Sequence, residues 1–247
     1  MTNRFFVDRS VSRWDSGVVL LAGDEAHHFS KVMRGKAGDT LVLFDGTGMY
    51  AHGIAESLQK GYVRVRITDT FSDEVESPLR LTVASALPKG DRQRFLIEKL
   101  TELGVARFVP VSMERSVARA NESTIQRLRR YVIEAAKQCE RNVLMEITEE
   151  VPIHKLNDLF AMETSTKFLL HPVALGNVGQ TTPQKILAAP PLPEKITILA
   201  GPEGSFTDQE VEEMLRVGFQ PLDLGKRILR SETASIAAAA LLLTFAG

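Results

Sequence analysis

The sequence predicts an α/β chain in two parts: a small β-barrel over residues 1–72, then a largely parallel sheet wrapped by helices over residues 73–247. Three observations predict this. Short β-branched or aromatic segments separated by glycine turns crowd the first part, as in small barrels. A charged, Pro-containing stretch, Ser72-Asp73-Glu74-Val75-Glu76-Ser77-Pro78, reads as a linker. Beyond it, strand and helix patterns alternate, which is the rhythm of a parallel sheet with crossover helices.

In the first part, Val18–Leu21, Thr40–Phe44, Tyr50–Glu56 and Tyr62–Thr70 read as strands, separated by turn signals at Asp45-Gly46, Gly48 and Lys60-Gly61. Tyr62 to Ile67 alternates strictly, as a half-buried strand must. One helix is expected from Asp24 to Met33, with Gly35 just beyond it. On it, His27 and His28 read as supports of the barrel, whereas Lys31 and Arg34 are cations suited to a phosphate.

In the second part, Leu79–Leu87 is an expected strand, Asp91–Leu103 a helix closed by Gly104, and Arg107–Val111 the next strand. Ser123 and Gln126 are spaced as a capping box for a helix reaching Cys139. Ile125, Leu128, Val132, Ala135 and Cys139 give that helix a core face. Arg127, Arg130, Lys137 and Arg141 share another face, which is either simply solvated or an RNA contact. Lys167–Leu170, Lys195–Leu199 and a segment near Gln220–Asp223 are short strands that each run into a loop. Ala189-Pro190-Pro191-Leu192-Pro193 is a connector.

Composition sets bounds. Cys139 is the one cysteine among 247 residues, so no internal disulfide forms, and a reducing, cytoplasmic setting fits. No Cys/His cluster has zinc spacing and no acidic loop suits calcium, so no metal is expected. Met1–Ser10 is too polar for a secretory signal, and the apolar run Ile236–Ala246 is too short to span a bilayer. The net charge is −1, yet Lys89–Arg141 holds twelve Lys/Arg against seven Asp/Glu, so basic surface is regional.

Chemistry is carried by the loops after the late strands. Gly225-Lys226 is followed by Arg227, so there is no phosphate-binding Gly-Lys-Ser/Thr loop, and Leu87-Pro88-Lys89-Gly90-Asp91 lacks the glycines of a dinucleotide site. What remains is His171-Pro172, Gly201-Pro202-Glu203-Gly204 and Leu224 to Thr233. Ligands of open α/β sheets sit outside the carboxyl ends of the strands. Gly201 and Gly204 would let backbone approach a flat ligand, and Pro202 stiffens the turn. Thr207 and Glu210 form a second capping box, so this loop opens onto a helix. By itself, Gly-Pro-Glu-Gly could equally be a plain turn.

Taken together, Asp24–Arg34, Lys89-Gly90-Asp91, Glu98–Gly104, Gln138–Arg141, Gly201–Gly204 and Leu224–Thr233 resemble the bacterial ribosomal RNA small subunit methyltransferase E family, SPOUT enzymes that methylate N3 of a uridine in 16S ribosomal RNA. The resemblance covers nearly the whole chain. It implies a trefoil-knotted domain, a PUA-like barrel, a homodimer, the small ribosomal subunit as partner, and S-adenosylmethionine as methyl donor. Its cofactor loops fall here on Leu170, His171, Leu199, Gly201, Pro202, Glu203, Gly204, Leu224, Gly225, Ile228, Leu229 and Ser231. Three departures stand out. Ser205 replaces a further glycine, and Lys137 and Glu140 stand where Glu and Gly are usual. Arg230 is the candidate to stabilise charge on the uracil oxygens. Glu232 is either the proton acceptor or a structural acid. Lys31, Arg34, Arg127, Arg130 and Arg141 are the candidate RNA contacts. Two other readings stay open: a different RNA target such as tRNA, or a non-catalytic ribosome-assembly protein of the same fold.

Overall fold

The computed structural model describes residues 4–8, 14, 17–72, 76–160, 164–171, 181–189, 191 and 193–244. Residues 1–3, 9–10, 73–75 and 245–246, together with Pro172, Pro190 and Leu192, lie outside those described, so the sequence readings at these positions do too. In chain order the elements are β1 (Arg4–Phe6), β2 (Val18–Ala22), α1 (Gly23–His27) running on as a π-helical turn (His28–Val32), β3 (Thr40–Phe44), β4 (Met49–Gln59) and β5 (Tyr62–Ser72). Next come β6 (Arg80–Ser85), α2 (Arg92–Glu102), β7 (Arg107–Ser112), α3 (Glu122–Cys139), β8 (Glu146–Ile147), β9 (Val151–Pro152) and a 3-10 turn (Ile153–Lys155). The rest are α4 (Leu156–Phe160), β10 (Thr166–Leu170), α5 (Pro183–Leu187), β11 (Lys195–Ala200), α6 (Asp208–Arg216), β12 (Gln220–Pro221) and α7 (Ser231–Thr244). They form two compact units, 1–76 with 133–144, and 77–132 with 145–247. The expected division was a single cut at 72/73; in the structure the end of α3 and the residues after it group with the first unit.

The first unit is a five-stranded sheet in the order β1-β3-β4-β5-β2, with β1 and β3 parallel and the remaining pairs antiparallel. Both edge strands feed the same core: Phe5 from β1 and Val19 and Leu21 from β2 join Leu43, Ala51 and Val65, so the sheet curls around one interior. Register shifts at His52/Gly53 and Ala55/Ser57 bend β4 against β5. β1 has no counterpart in the sequence reading, because three residues carry no periodicity. The helix expected from Asp24 to Met33 is α-helical only to His27. Its second half is the π turn, where the Met33 N–H donates to the His28 carbonyl at 2.9 Å. Phe29 on that turn lies edge-on to Phe5, and at Gly35 a Cβ would fall 2.4 Å from the Phe29 ring, so that glycine is sterically required. His28 packs edge-on to Phe5 as well, a supporting role as read from the sequence. Residues 133–144 complete the unit. Lys137 Nζ donates to both Glu25 oxygens at 2.8 and 2.9 Å, and Arg4 hydrogen-bonds Asn142.

The second unit holds a sheet in the order β12-β10-β11-β6-β7-β8, with β9 on β7, and every recorded pairing is parallel. Parallel strands are covered on both faces. Accordingly β6 and β11 are buried at every residue after the first. After β11 the chain passes across β10 to form β12 on its far side. It then returns as α7, which packs on β6 and β11. The chain thus crosses β10 twice. The cap of α3 differs from expectation. Asn121 Oδ1 accepts the Thr124 N–H at 3.0 Å and the Ser123 hydroxyl at 2.9 Å, and Gln126 turns to Glu122, so Asn121 is the cap and Ser123 its neighbour. Thr207 and Glu210 do form their capping box. Ile125, Leu128, Val132 and Ala135 are buried as the core face requires, and Cys139 is half-buried.

Among the described residues, three that are not glycine hold left-handed backbone: Arg34 (φ 55°), Glu140 (φ 62°) and Ser205 (φ 62°). Glu140 follows the last residue of α3, and the Arg141 N–H reaches back to the Ala136 carbonyl at 3.1 Å, a Schellman closure that favours glycine at position 140. Two of the three departures from the resembled family thus fall where glycine is the relaxed choice. A side chain there costs about 1–2 kcal/mol, offset in part by glycine's larger chain entropy. Glu140→Gly and Ser205→Gly should each raise the melting temperature by roughly 2–4 °C for each kcal/mol relieved, while Ser205→Ala should not. Calorimetry of the three variants checks this; equal melting temperatures for Ser205→Gly and Ser205→Ala would remove strain as the explanation.

Candidate active site

Leu170 pairs with Ala200 and Ala200 with Ser85, so β10, β11 and β6 end level with one another. Beyond that edge lies a cleft of about 910 Å³, formed by the loops after β10, β11 and β12 and by Arg92 at the start of α2. Of the residues singled out in the sequence, Leu170, His171, Gly201, Pro202, Glu203, Leu224, Gly225, Ile228, Leu229, Arg230 and Ser231 line it. Leu199 and Gly204 do not. Leu199 is fully buried in the sheet core, and Gly204 faces Arg115.

The glycines have packing reasons of their own. A Cβ at Gly201 would lie 2.7 Å from the Phe206 ring, and one at Gly204 would lie 3.1 Å from Arg115 Cβ. The Arg115 guanidinium donates to the carbonyls of Gly204 and Phe206 at 3.0 and 3.3 Å, and the Ser205 N–H closes the turn onto the Pro202 carbonyl at 2.9 Å. Glu210 accepts the N–H groups of Thr207 and Glu114, each at 2.9 Å, which ties this loop to the loop after β7. Close approach of Phe206 and Arg115 thus gives both glycines a packing reason, and Gly201 also lines the cleft.

The loop between β12 and α7 starts with an Asx turn, in which Asp223 Oδ1 accepts the Gly225 N–H at 2.8 Å and Gly225 takes φ 107°. From Lys226 to Leu229 the backbone makes no hydrogen bond to any described residue. The Arg230 carbonyl then accepts the Ala234 N–H at 2.8 Å and starts α7, leaving the Arg230 side chain exposed at the cleft. Ser231 Oγ lies 3.4 Å from Ser85 Oγ, linking the head of α7 to the end of β6.

Glu232 has the surroundings of the structural acid among its two readings, although its partner is Arg92. Its side chain is only 5% exposed, does not line the cleft, and meets Arg92 at 3.5 Å rather than Arg230. Arg92 also pairs with Glu203, so one guanidinium joins the glycine loop to the first turn of α7. Glu232 Oε2 is buried without a hydrogen-bond partner. Sequence reasoning missed Arg92, although it directly follows the Lys89-Gly90-Asp91 block. His171 lines the cleft beside Phe206, with ring centres 5.7 Å apart. Burial pushes its imidazole below the ordinary value, against a smaller upward pull from Asp208, so it is neutral near pH 7. Its Nδ1 is buried and has no partner.

The expected RNA-contacting cations separate into distinct groups. Lys31 and Arg34 are exposed in the first unit, but Arg34 lies past the helical turn, not on it. Arg127 and Arg130 are exposed on α3, with Arg127 donating to Gln93 Oε1 at 2.9 Å. Arg141 is not on α3, which ends at Cys139. It is only 7% exposed and paired with Glu76 at 2.6 Å, which withdraws it from any RNA surface. Among the described residues no group of side chains could hold a metal ion, and no helix is long and apolar enough to cross a membrane.

Residues 75–243 match the RNA methyltransferase domain family, and residues 21–68 match the RNA methyltransferase PUA domain. The ribosomal RNA small subunit methyltransferase E of Synechocystis sp. is 32% identical over 222 residues, covering 90% of this chain and 71% of that protein. A methyltransferase of Legionella pneumophila, solved with its bound cofactor S-adenosylmethionine (SAM), superposes with a TM-score of 0.85 at 30% identity, covering 99% of this chain and 98% of that one. The small subunit methyltransferase E of Neisseria gonorrhoeae, solved bound to S-adenosyl methionine, gives a TM-score of 0.83 at 30% identity with the same coverage. With its curled PUA-type sheet, parallel α/β domain and cleft at the level strand ends, the chain belongs to the ribosomal RNA small subunit methyltransferase E family of RNA methyltransferases.

Proposed function

We propose that the chain transfers the methyl group of S-adenosylmethionine to N3 of one uridine in the 16S ribosomal RNA of the small subunit. The observation that carries this reading is the cleft at the strand ends, walled by a loop whose backbone from Lys226 to Leu229 is left unbonded. Those peptide groups can take the edge of an adenine, and Leu170, Leu222, Leu224, Ile228 and Leu229 offer its faces apolar contact. Neutral His171 adds no positive charge beside a sulfonium. When bound, S-adenosylmethionine supplies an electrophilic methyl on sulfur.

Uracil N3 is a poor nucleophile until its proton leaves, so the protein must lower the cost of the ionised imide and hold it in line. Arg230, exposed at the cleft with no carboxylate partner among the described residues, does this by facing the uracil oxygens. Glu232 acts through Arg92. It fixes the guanidinium that also holds Glu203, and so sets the spacing of two cleft walls.

The enzyme works in the cytoplasm as a homodimer and binds RNA with Lys31, Arg34, Arg127 and Arg130. The dimer is supported by α7, apolar all round yet only half-buried at Ile236, Ala237, Ala240 and Leu241, and by Ile228, which is 85% exposed. Sedimentation should give a dimer at micromolar concentration, and a monomer there would rule this out.

Arg230→Ala should cut single-turnover methylation of 16S ribosomal RNA by about 10²–10³, as loss of one preorganised donor typically does, and leave affinity for cofactor and RNA within a few-fold. A loss expressed wholly in RNA affinity would refute the assignment. Glu232→Gln should slow turnover equally from pH 6 to 10 and lower the melting temperature. A defect that shrinks as pH rises would instead make Glu232 the proton acceptor.

A further inference from the structure

We propose that Lys226 and Arg227 form a cationic lip that grips the RNA phosphates flanking the target nucleotide, beside the Arg230 that faces its base, an inference that rests on the reading above. All three line the cleft and are exposed. None forms an ion pair or side-chain hydrogen bond with a described residue. The acidic residues of the described lining are both engaged: Glu203 with Arg92, and Asp223 with the Gly225 N–H of the same loop.

Of the other cations singled out in the sequence, Lys137 is paired with Glu25 and Arg141 with Glu76. Lys31, Arg34, Arg127 and Arg130 are exposed without a carboxylate partner among the described residues, but none of them lines the cleft. The cleft mouth therefore carries uncompensated positive charge of its own, on a protein of net charge −1. Like charges one and three residues apart repel one another, and a polyanion is the ligand that turns that repulsion into attraction. The spacing suits a single strand, whose unstacked nucleotide can enter the cleft while its phosphates stay outside.

The test is the double variant Lys226→Gln/Arg227→Gln in the full chain, titrated with 16S ribosomal RNA transcribed in vitro over a range of salt. Each lost phosphate contact on a single strand lowers the log–log salt slope by about 0.7, so the variant should lose about 1.4. KM for RNA should rise at least tenfold at low salt, by more than any change in S-adenosylmethionine affinity or in kcat at saturating RNA, with the melting temperature unchanged. An unchanged slope overturns the proposal. A fall in cofactor affinity with the slope intact also overturns it, and would assign the cations to the cofactor's carboxylate. Loss of dimer in sedimentation would place them at the subunit contact instead. If the wild-type protein methylates no RNA, the proposed reaction fails, whereas the salt slope still reads the lip on its own.

Discussion

The register of the parallel sheet is the constraint on which the site depends. Leu169, Leu199, Ala84 and Val109 stand in one row across β10, β11, β6 and β7, and all four belong to the same buried cluster with Val211 and Met214 of α6. The next row, Leu170, Ala200 and Ser85, ends the three strands level and opens onto the cleft. A slip of one residue in any strand would turn its core row to the opposite face. Burial of the row therefore fixes where three loops, distant in sequence, must meet.

That the loops would meet was legible from the sequence, because each short apolar strand ran into a Gly- or Pro-containing segment and strand ends gather ligands in this class of sheet. Why the glycines are there was not. Gly201 answers to Phe206, five residues on, and Gly204 to Arg115 in the loop after β7, so each is needed for packing against a side chain that no local pattern indicates. The same limit explains the misread helix at Asp24–Met33. Its apolar spacing was helical, but seating Phe29 against Phe5 of β1 goes with a wider turn, and β1 was itself too short to be seen.

Charges were the least legible feature. A sequence shows a basic stripe on α3, yet which of its members stay free is decided by carboxylates and amides elsewhere in the chain: Glu25 for Lys137, Glu76 for Arg141, Gln93 for Arg127. Arg230 and Glu232 are two residues apart, which suggested that they act together. The first turn of α7 separates them. Arg230 remains at the helix start on the cleft, and Glu232 turns inward to an arginine 140 positions away in sequence. A buried carboxylate with half its hydrogen-bonding capacity unused is costly unless its remaining partner is held firmly, so Arg92 and Glu232 stabilise each other's placement more than the fold as a whole.

These anchors explain how an unbonded loop can still be an ordered one. The segment from Leu224 to Arg230 is fixed at its start by β12 pairing with β10 and by the Asx turn at Asp223. At its end it is fixed by α7, which packs on β6 and β11 and is clamped through Glu232 and Arg92 to the glycine loop. Four residues between two rigid ends have little conformational freedom left to lose. Their peptide groups bond to no described residue and are open to water, so a ligand offering complementary hydrogen bonds can take water's place there. The double crossing of β10 is what makes both ends rigid. A chain that finished at β12 would leave the loop free at one end, and the entropy of ordering it would then be charged against every binding event.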